Sequence, residues 1–185
     1  MRLAPIAALL AAVGQPAAAA TEAVLRLGGE DIRIVAGASA ALVEIGGRTL
    51  RVDPIAGTVD GKPVRLSAPG SFALTRWAPG PAVAGHASTF FILMRGETVC
   101  AEVLVSEWMH PFTADVVAAL DLALAGLGRE IALTTAGCGT VAVTTLAGAG
   151  WPLMVGDREA PVLETTEIRF GVEPAQGRGA SASSR

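Results

Sequence analysis

Apolar and polar residues alternate with a period of two through residues 23–66, and one short pattern recurs three times there. Each copy consists of two alternating stretches joined by a two-residue turn. The three turns are Gly28-Gly29, Gly46-Gly47 and Asp60-Gly61. A period of two places successive side chains on opposite faces of a strand, and these pairs accept the positive φ of a tight hairpin turn. The pattern therefore predicts three consecutive β-hairpins that form an antiparallel meander.

Four arginines alternate with apolar residues in this region, so we expect them on the solvent face of the sheet: Arg26, Arg33, Arg51 and Arg65. Acidic residues such as Glu44 alternate in the same way. An anion-binding stripe is one interpretation, but cross-strand pairing of opposite charges is common on a wet sheet face and is favoured here.

The most apolar part of the chain is a further hairpin followed by a helix. Residues 89–94 are apolar on both faces, which is typical of a strand covered from both sides. Residues 98–105 form the next strand after a turn at Arg95-Gly96-Glu97. We expect the drier face of this second strand to lie against the helix.

The helix is predicted to open near Thr113, a good N-cap residue, and to end at Gly126 or Gly128. Pro111 is expected to hold His110 in extended geometry before that start. Few polar residues interrupt the helix, so most of its circumference should be buried.

Further strands are predicted at residues 129–135, 139–146, 151–155 and 162–170. The order of elements predicts an α+β fold, in which one long apolar helix packs on a hairpin-rich antiparallel sheet that is either open or partly barrel-like.

The first residues have the layout of a secretory signal peptide, with Arg2, an apolar run over residues 3–13 and a small-residue stretch that ends at Ala20. The expected organisation is a signal peptide at 1–20, a single α+β domain at 21–170 and a disordered tail at 171–185. Within the domain we distinguish hairpin repeats (21–66), a Pro/Gly-rich loop (67–87) and a core hairpin with the helix and closing strands (88–170). This layout predicts a periplasmic or secreted protein.

The chain has 14 Lys+Arg against 17 Asp+Glu, and loss of Arg2 with the signal peptide changes the net charge from −3 to 13 − 17 = −4. Nucleic acids require a basic face, so we expect no nucleic-acid partner. No stretch after the signal peptide is apolar for long enough to span a membrane.

Cys100 and Cys138 are the two cysteines, and an even number in an exported chain favours a disulfide. Alternation places both on the more polar sides of their strands, so we expect the disulfide on the sheet face opposite the helix.

No pattern typical of an active site is present, and we expect neither a catalytic residue nor a cofactor. G-x-S-x-G and Cys-x-x-Cys are both missing. Cys138 lies between two glycines and could act as an exposed nucleophile, which leaves a thiol- or histidine-dependent periplasmic enzyme as one alternative. A copper-binding periplasmic protein is the other, with His86 and His110 beside methionines as candidate ligands; we expect no metal site.

The remaining interpretation is an exported, non-catalytic binding or accessory protein of the cell envelope, whose partner is another protein or a small apolar ligand. Its candidate binding residues lie in the loop at 67–87 and at the corner formed by residues 107–112: Trp77, His86, Trp108 and His110. Trp77 either caps the core or is exposed for binding. The oligomeric state is left open.

Overall fold

The computed structural model describes residues 19–66, 70–157 and 159–173. The first strands are β1 (Ala20–Leu27), β2 (Glu30–Ala36), β3 (Ala41–Ile45), β4 (Arg48–Asp53), β5 (Thr58–Val59) and β6 (Lys62–Pro63). There follow β7 (Ala73–Pro79), β8 (Thr89–Arg95), β9 (Thr98–Ser106) and the long helix α1 (His110–Gly126). The last elements are β10 (Ile131–Ala132), β11 (Thr140–Val141), α2 (Val143–Leu146), β12 (Trp151–Gly156) and β13 (Pro161–Val172).

Eleven strands of the described chain form one sheet in the order β6-β5-β4-β3-β2-β1-β13-β12-β9-β8-β7, and each neighbouring pair is antiparallel. The hairpins β1–β2, β3–β4 and β5–β6 confirm the predicted meander. Their turns have positive φ, including 50° at Asp60 and 75° at Gly61, as the turn residues require. The first strand lies beside the last, so β12 and β13 join this meander to the β7–β9 strands.

The sheet is open and not a barrel, because β6 and β7 are the outermost strands of the order and do not pair with each other in the described residues. The α+β class with a mostly antiparallel sheet is thus confirmed, whereas the partly barrel-like alternative is wrong.

The long helix packs mainly on the first meander, over β1 to β5, and not on the hairpin that precedes it in sequence. Gly126 lies so close to β5 that an added Cβ would be 3.2 Å from the side chain of Val59. The expectation that the helix covers the β8–β9 hairpin was wrong. Consistent with this, β8 is buried on one face only: Phe91 and Leu93 are buried, whereas Ile92 is partly exposed.

The helix begins three residues earlier than the sequence suggested. His110 has helical geometry (φ −44°, ψ −50°) and Pro111 lies in the first turn. Proline is tolerated there because the first N–H groups of a helix have no intrahelical acceptor. Thr113 is not the N-cap; its hydroxyl donates a hydrogen bond to the carbonyl of Met109 at 3.1 Å.

Cys100 and Cys138 form a disulfide, with their Cα atoms 5.6 Å apart. Both residues are buried in the same core, so the expectation that they lie on polar faces was wrong. The cause is a β-bulge: Leu93 pairs with Ala101 and Met94 with Val99, which leaves Cys100 as the extra residue. A bulge breaks the strict alternation of faces, and here Cys100 and Ala101 are both buried.

The predicted hairpin after the helix is reduced to a two-stranded sheet, β10–β11, and the rest of residues 139–146 includes the short helix α2. Asp121 of α1 explains the change. Its buried carboxylate accepts hydrogen bonds from the backbone N–H groups of Val143 (2.7 Å) and Thr144 (2.9 Å), the first residues of α2. The polar residue in an apolar helix thus caps the next helix.

The solvent face of the sheet carries the predicted cross-strand ion pairs. Arg26 lies 3.2 Å from Asp31 and Arg33 lies 3.5 Å from Glu44, directly opposite each other on neighbouring strands. Glu22 is nearly buried beneath Arg33, at 2.6 Å, and this hydrogen bond is the main reason that the pKa of Arg33 is raised. Arg26 and Arg33 are thus engaged by carboxylates, which argues against an anion-binding role for these two members of the predicted stripe.

The predicted signal peptide lies outside the described residues except for its last two positions, and Ala20 is already the first residue of β1. The predicted tail also lies outside them, apart from residues 171–173, and β13 continues to Val172. None of the helices in the described ranges has both the length and the apolar character that a membrane crossing requires.

Candidate functional site

The structure brings together the loop between β7 and β8 and the corner that precedes α1. The ring of His86, in the loop, lies against that of Trp108, in the corner, with centroids 5.9 Å apart and planes tilted by 47°. The loop is held by reciprocal backbone hydrogen bonds between Val83 and His86, of 3.0 and 2.9 Å. Two of the four predicted binding residues therefore share one surface.

Two phenylalanines extend this surface. The ring of Phe112 lies 6.4 Å from Trp108 and 5.6 Å from Phe170, and Phe170 lies 5.7 Å from Trp108. These distances and the tilted planes are typical of packed aromatic pairs. We call the set formed by His86, Trp108, Phe112 and Phe170 the aromatic surface.

Three parts of the chain position the aromatic surface. A 3-10 turn, Glu107–Met109, buries Met109 completely and thereby presents Trp108 outward. Phe112 lies in the first turn of α1, and its carbonyl accepts a hydrogen bond of 3.1 Å from the hydroxyl of Thr21. Phe170 is the partner of Thr21 in the β1–β13 pairing. The start of β1 thus holds the helix and the end of β13 in place.

The rings remain open to solvent although they touch each other. The exposed fractions are 50% for Trp108, 56% for Phe112 and 37% for Phe170. The chain has only eight aromatic residues of the Phe and Trp types, five and three respectively. Three of these eight residues meet at the surface. Because monomers rarely expose large contiguous apolar patches, such a cluster indicates an interaction site.

Trp77 and His110 lie outside the aromatic surface as it is defined by ring contacts within the described chain. Trp77 is the extra residue of a bulge in β7 and is 70% exposed, which rules out a core-capping role. Its neighbour Arg76 forms an ion pair of 3.3 Å with Glu107, so β7 is tied to the same corner. His110 is exposed at the first position of α1.

The candidates for chemistry do not converge. The disulfide engages both cysteines, and the chain has no free thiol. Met109 is buried, whereas the adjacent His110 is exposed. Across the described ranges, no three His, Cys, Asp or Glu side chains are grouped so that they could hold a metal ion.

Two of the open clefts formed by the described residues lie away from the aromatic surface. A cleft of about 610 Å³ beside β2 to β4 is lined in part by Val35, Asp53 and Asp60. Its carboxylates serve the backbone: Asp53 accepts the N–H of Ile55 at 3.0 Å, and Asp60 accepts that of Arg51 at 2.9 Å. These acids are thus part of the turn structure.

The second cleft, of about 300 Å³, lies between the end of α1 and β10–β11. Its lining includes Asp121, whose carboxylate is already bonded to the backbone of α2. Neither cleft is the mainly apolar, enclosed pocket in which a small apolar ligand would be buried.

Comparison of the chain with protein-family models, with curated proteins and with solved structures yields no significant match. The site geometry is therefore the basis of the functional argument.

The sequence analysis missed Phe170 as a site residue. It lies in an alternating strand and 58 positions after Phe112 (170 − 112), so no local pattern joins the two. Phe112 had a weak signal, since it belongs to the Pro-containing corner that also carries Trp108.

Proposed function

We propose that this chain is an exported, non-catalytic binding protein of the cell envelope that contacts a partner protein through the aromatic surface. The single observation that carries the proposal is the cluster of three partly exposed rings, Trp108, Phe112 and Phe170, which lie against one another at the surface. Tryptophan and other aromatic residues dominate the energetics of protein interfaces.

Export is supported by the predicted signal peptide and by the disulfide, because disulfides persist in oxidising compartments. The alternative that uses Cys138 as a nucleophile is disfavoured, since the disulfide removes the thiolate that such chemistry requires.

A protein partner is favoured over a small apolar ligand. The aromatic surface leaves Trp108, Phe112 and Phe170 partly in water, and the two clefts described above are open and partly polar. A protein can cover such a surface, whereas a small ligand is normally buried in a concave, apolar site.

The rings define the scale of the interaction. An aromatic side chain has about 150–250 Å² of accessible area, so exposed fractions of 50%, 56% and 37% leave about 300 Å² in water. At about 25 cal/mol per Å², complete burial would contribute about 7 kcal/mol. Association itself costs several kcal/mol, so the partner must make further contacts around the rings.

The test is capture of a partner from envelope extract by the exported chain, residues 21–185. We expect the double variant Trp108→Ser/Phe112→Ser to lose a captured protein that the wild type retains, with affinity reduced by about 30-fold or more, which corresponds to about 2 kcal/mol or more. The matched control is Ile55→Ser, which removes a side chain that is 77% exposed outside the aromatic surface. Equal capture by the double variant and the wild type would refute the proposal.

A further inference from the structure

The two outer strands of the sheet differ in how their free edges are protected. β6 consists of Lys62 and Pro63, and a very short strand, a lysine and a proline all discourage pairing with another chain. β7 is seven residues long, and its proline, Pro79, is at the last position. Its one charged side chain, Arg76, is already paired with Glu107. β7 therefore lacks most of the protection that β6 has.

The outer edge of β7 is free within the described residues. There β7 pairs with β8 alone, and no backbone hydrogen bond joins it to another described segment. The pairing with β8 is regular over residues 73–76 and is interrupted by the bulge at Trp77. Backbone groups of a strand point alternately to its two edges, so the regular part presents about four unpaired N–H and C=O groups over about 13 Å. Such a row of donors and acceptors is complementary to another extended polypeptide segment.

The side chains of β7 leave this edge accessible. Ala73 and Thr75 are small and exposed. Trp77 follows them and is 70% exposed, although the aromatic surface does not include it. A segment added to β7 would therefore pass small side chains first and then reach the ring of Trp77, which offers apolar area to a side chain of that segment.

The free edge and the aromatic surface lie at the same end of the sheet. Pro79, at the end of β7, pairs with Thr89, which pairs with Val105, three positions before Trp108. Two strand spacings amount to about 10 Å. The loop that follows β7 brings His86 to 5.9 Å from Trp108, and an ion pair of 3.3 Å joins β7 itself to the corner. One partner can therefore contact both regions.

We propose that the partner protein adds an extended segment to β7 as a further strand of the sheet and covers the aromatic surface with the region beside that segment. This inference rests on the proposed function and names the class of partner: a protein with an exposed, extended segment that is free of proline. Main-chain hydrogen bonds to the edge hold the segment, and the rings of Trp77 and Trp108 select its side chains.

A second copy of the chain fits the two regions less well. Antiparallel pairing of β7 with its own copy places the two Pro79 ends, and with them the two aromatic surfaces, at opposite ends of the shared strands. The four regularly paired residues, 73–76, would also bury well below the roughly 800 Å² per partner of a stable interface. A different protein that contacts the edge and the aromatic surface together has neither problem.

Two cross-linking positions test the pairing. The exported chain, residues 21–185, carries photo-reactive benzoylphenylalanine in place of Ala73 in one variant and of Trp77 in another, and is irradiated in envelope extract. We expect both variants to label one segment of one protein, at sites about four residues apart, because paired strands have nearly the same rise per residue. The same probe in place of Thr49, which is exposed in the interior strand β4, should not label that segment. Labels on a second copy of the chain, on unrelated segments or on no protein would overturn the proposal.

An edge-blocking substitution gives a second measurement. Lysine on an edge strand discourages strand addition, so Thr75→Lys should weaken retention of the labelled protein about tenfold, the equivalent of about one or two hydrogen bonds. Thr49→Lys is the matched control, because it introduces the same charge at an exposed position of an interior strand. Both variants should keep the wild-type melting temperature, since both side chains are exposed. Equal retention by both variants and the wild type would contradict the proposal.

The two proposals fail differently. If Trp108→Ser/Phe112→Ser abolishes capture while the probes on β7 label nothing, strand addition is wrong and the binding function of the aromatic surface stands. If the probes on β7 label one segment while that double variant captures the protein as well as the wild type does, the aromatic surface is not the binding site and strand addition stands alone.

Discussion

Reduction of the Cys100–Cys138 disulfide should lower the free energy of unfolding by about 4 kcal/mol. The bond joins residues that are 38 positions apart. In the chain-entropy model, closing a loop of this length removes about 13 cal/mol/K from the unfolded chain, which is about 4 kcal/mol at 25 °C. This is a large share of the 5–15 kcal/mol by which a domain of this size is normally stable.

The native fold should survive reduction, because other contacts hold the same segments. The hydroxyl of Thr135 donates a 3.0 Å hydrogen bond to the carbonyl of Cys100, and the guanidinium of Arg95 donates one of 3.1 Å to the carbonyl of Cys138. The loss of stability should therefore come from the greater entropy of the reduced, unfolded chain.

Urea unfolding with and without reductant measures the effect. For a slope of about 2 kcal/mol per M, the midpoint should fall by about 2 M, and the slope should rise because the reduced chain exposes more surface when unfolded. The Cys100→Ala/Cys138→Ala variant is the control and should not respond to reductant. A decrease below about 1 kcal/mol would refute the reasoning, since it would mean that the unfolded chain is already restricted without the bond.

Three further predictions test how the core is held. Asp121→Ala should lower the free energy of unfolding by about 3 kcal/mol in urea titration, because it leaves two backbone N–H groups of α2 without an acceptor. Asp121→Asn should lower it less because one acceptor oxygen remains, and equal stability of the wild type and both variants would contradict the capping role. Gly126→Val should lower the free energy of unfolding by about 2 kcal/mol through overpacking against Val59. Adding Val59→Ala to this variant should restore part of the lost stability, and purely additive losses from the two substitutions would contradict the contact. Ser106→Ala should leave the melting temperature unchanged or raise it, because within the described residues the buried hydroxyl has no hydrogen-bond partner; a clear loss of stability would reveal a partner such as an ordered water.

Local patterns in the sequence were sufficient to predict much of the secondary structure. The meander follows from alternation and from turn pairs such as Asp60-Gly61, whose positive φ is a property of the turn itself. The long helix follows from a run of good helix formers. The disulfide could be predicted from the cysteine count, since the sequence contains two cysteines and Cys100 can pair within the chain with Cys138 alone.

Tertiary structure decided which faces meet. The helix packs on β1 to β5. The pairing of β13 with β1 joins distant parts of the chain, since its partners are 163 − 27 = 136 positions apart at one end and 172 − 20 = 152 at the other. At the bulge Cys100 and Ala101 are both buried, which strict alternation does not predict, and one inserted residue in a ladder leaves no mark on the hydrophobic pattern of the sequence.

The candidate site divides in the same way. Sequence alone identified Trp108 and His86 as residues in irregular, Pro-containing segments where binding residues are common. It did not join them to Phe170, because a surface assembled from a loop, a helix start and a strand end depends on contacts between distant parts of the chain. Side-chain periodicity reports only the neighbours within one element, so the aromatic surface became visible only when the sheet was complete.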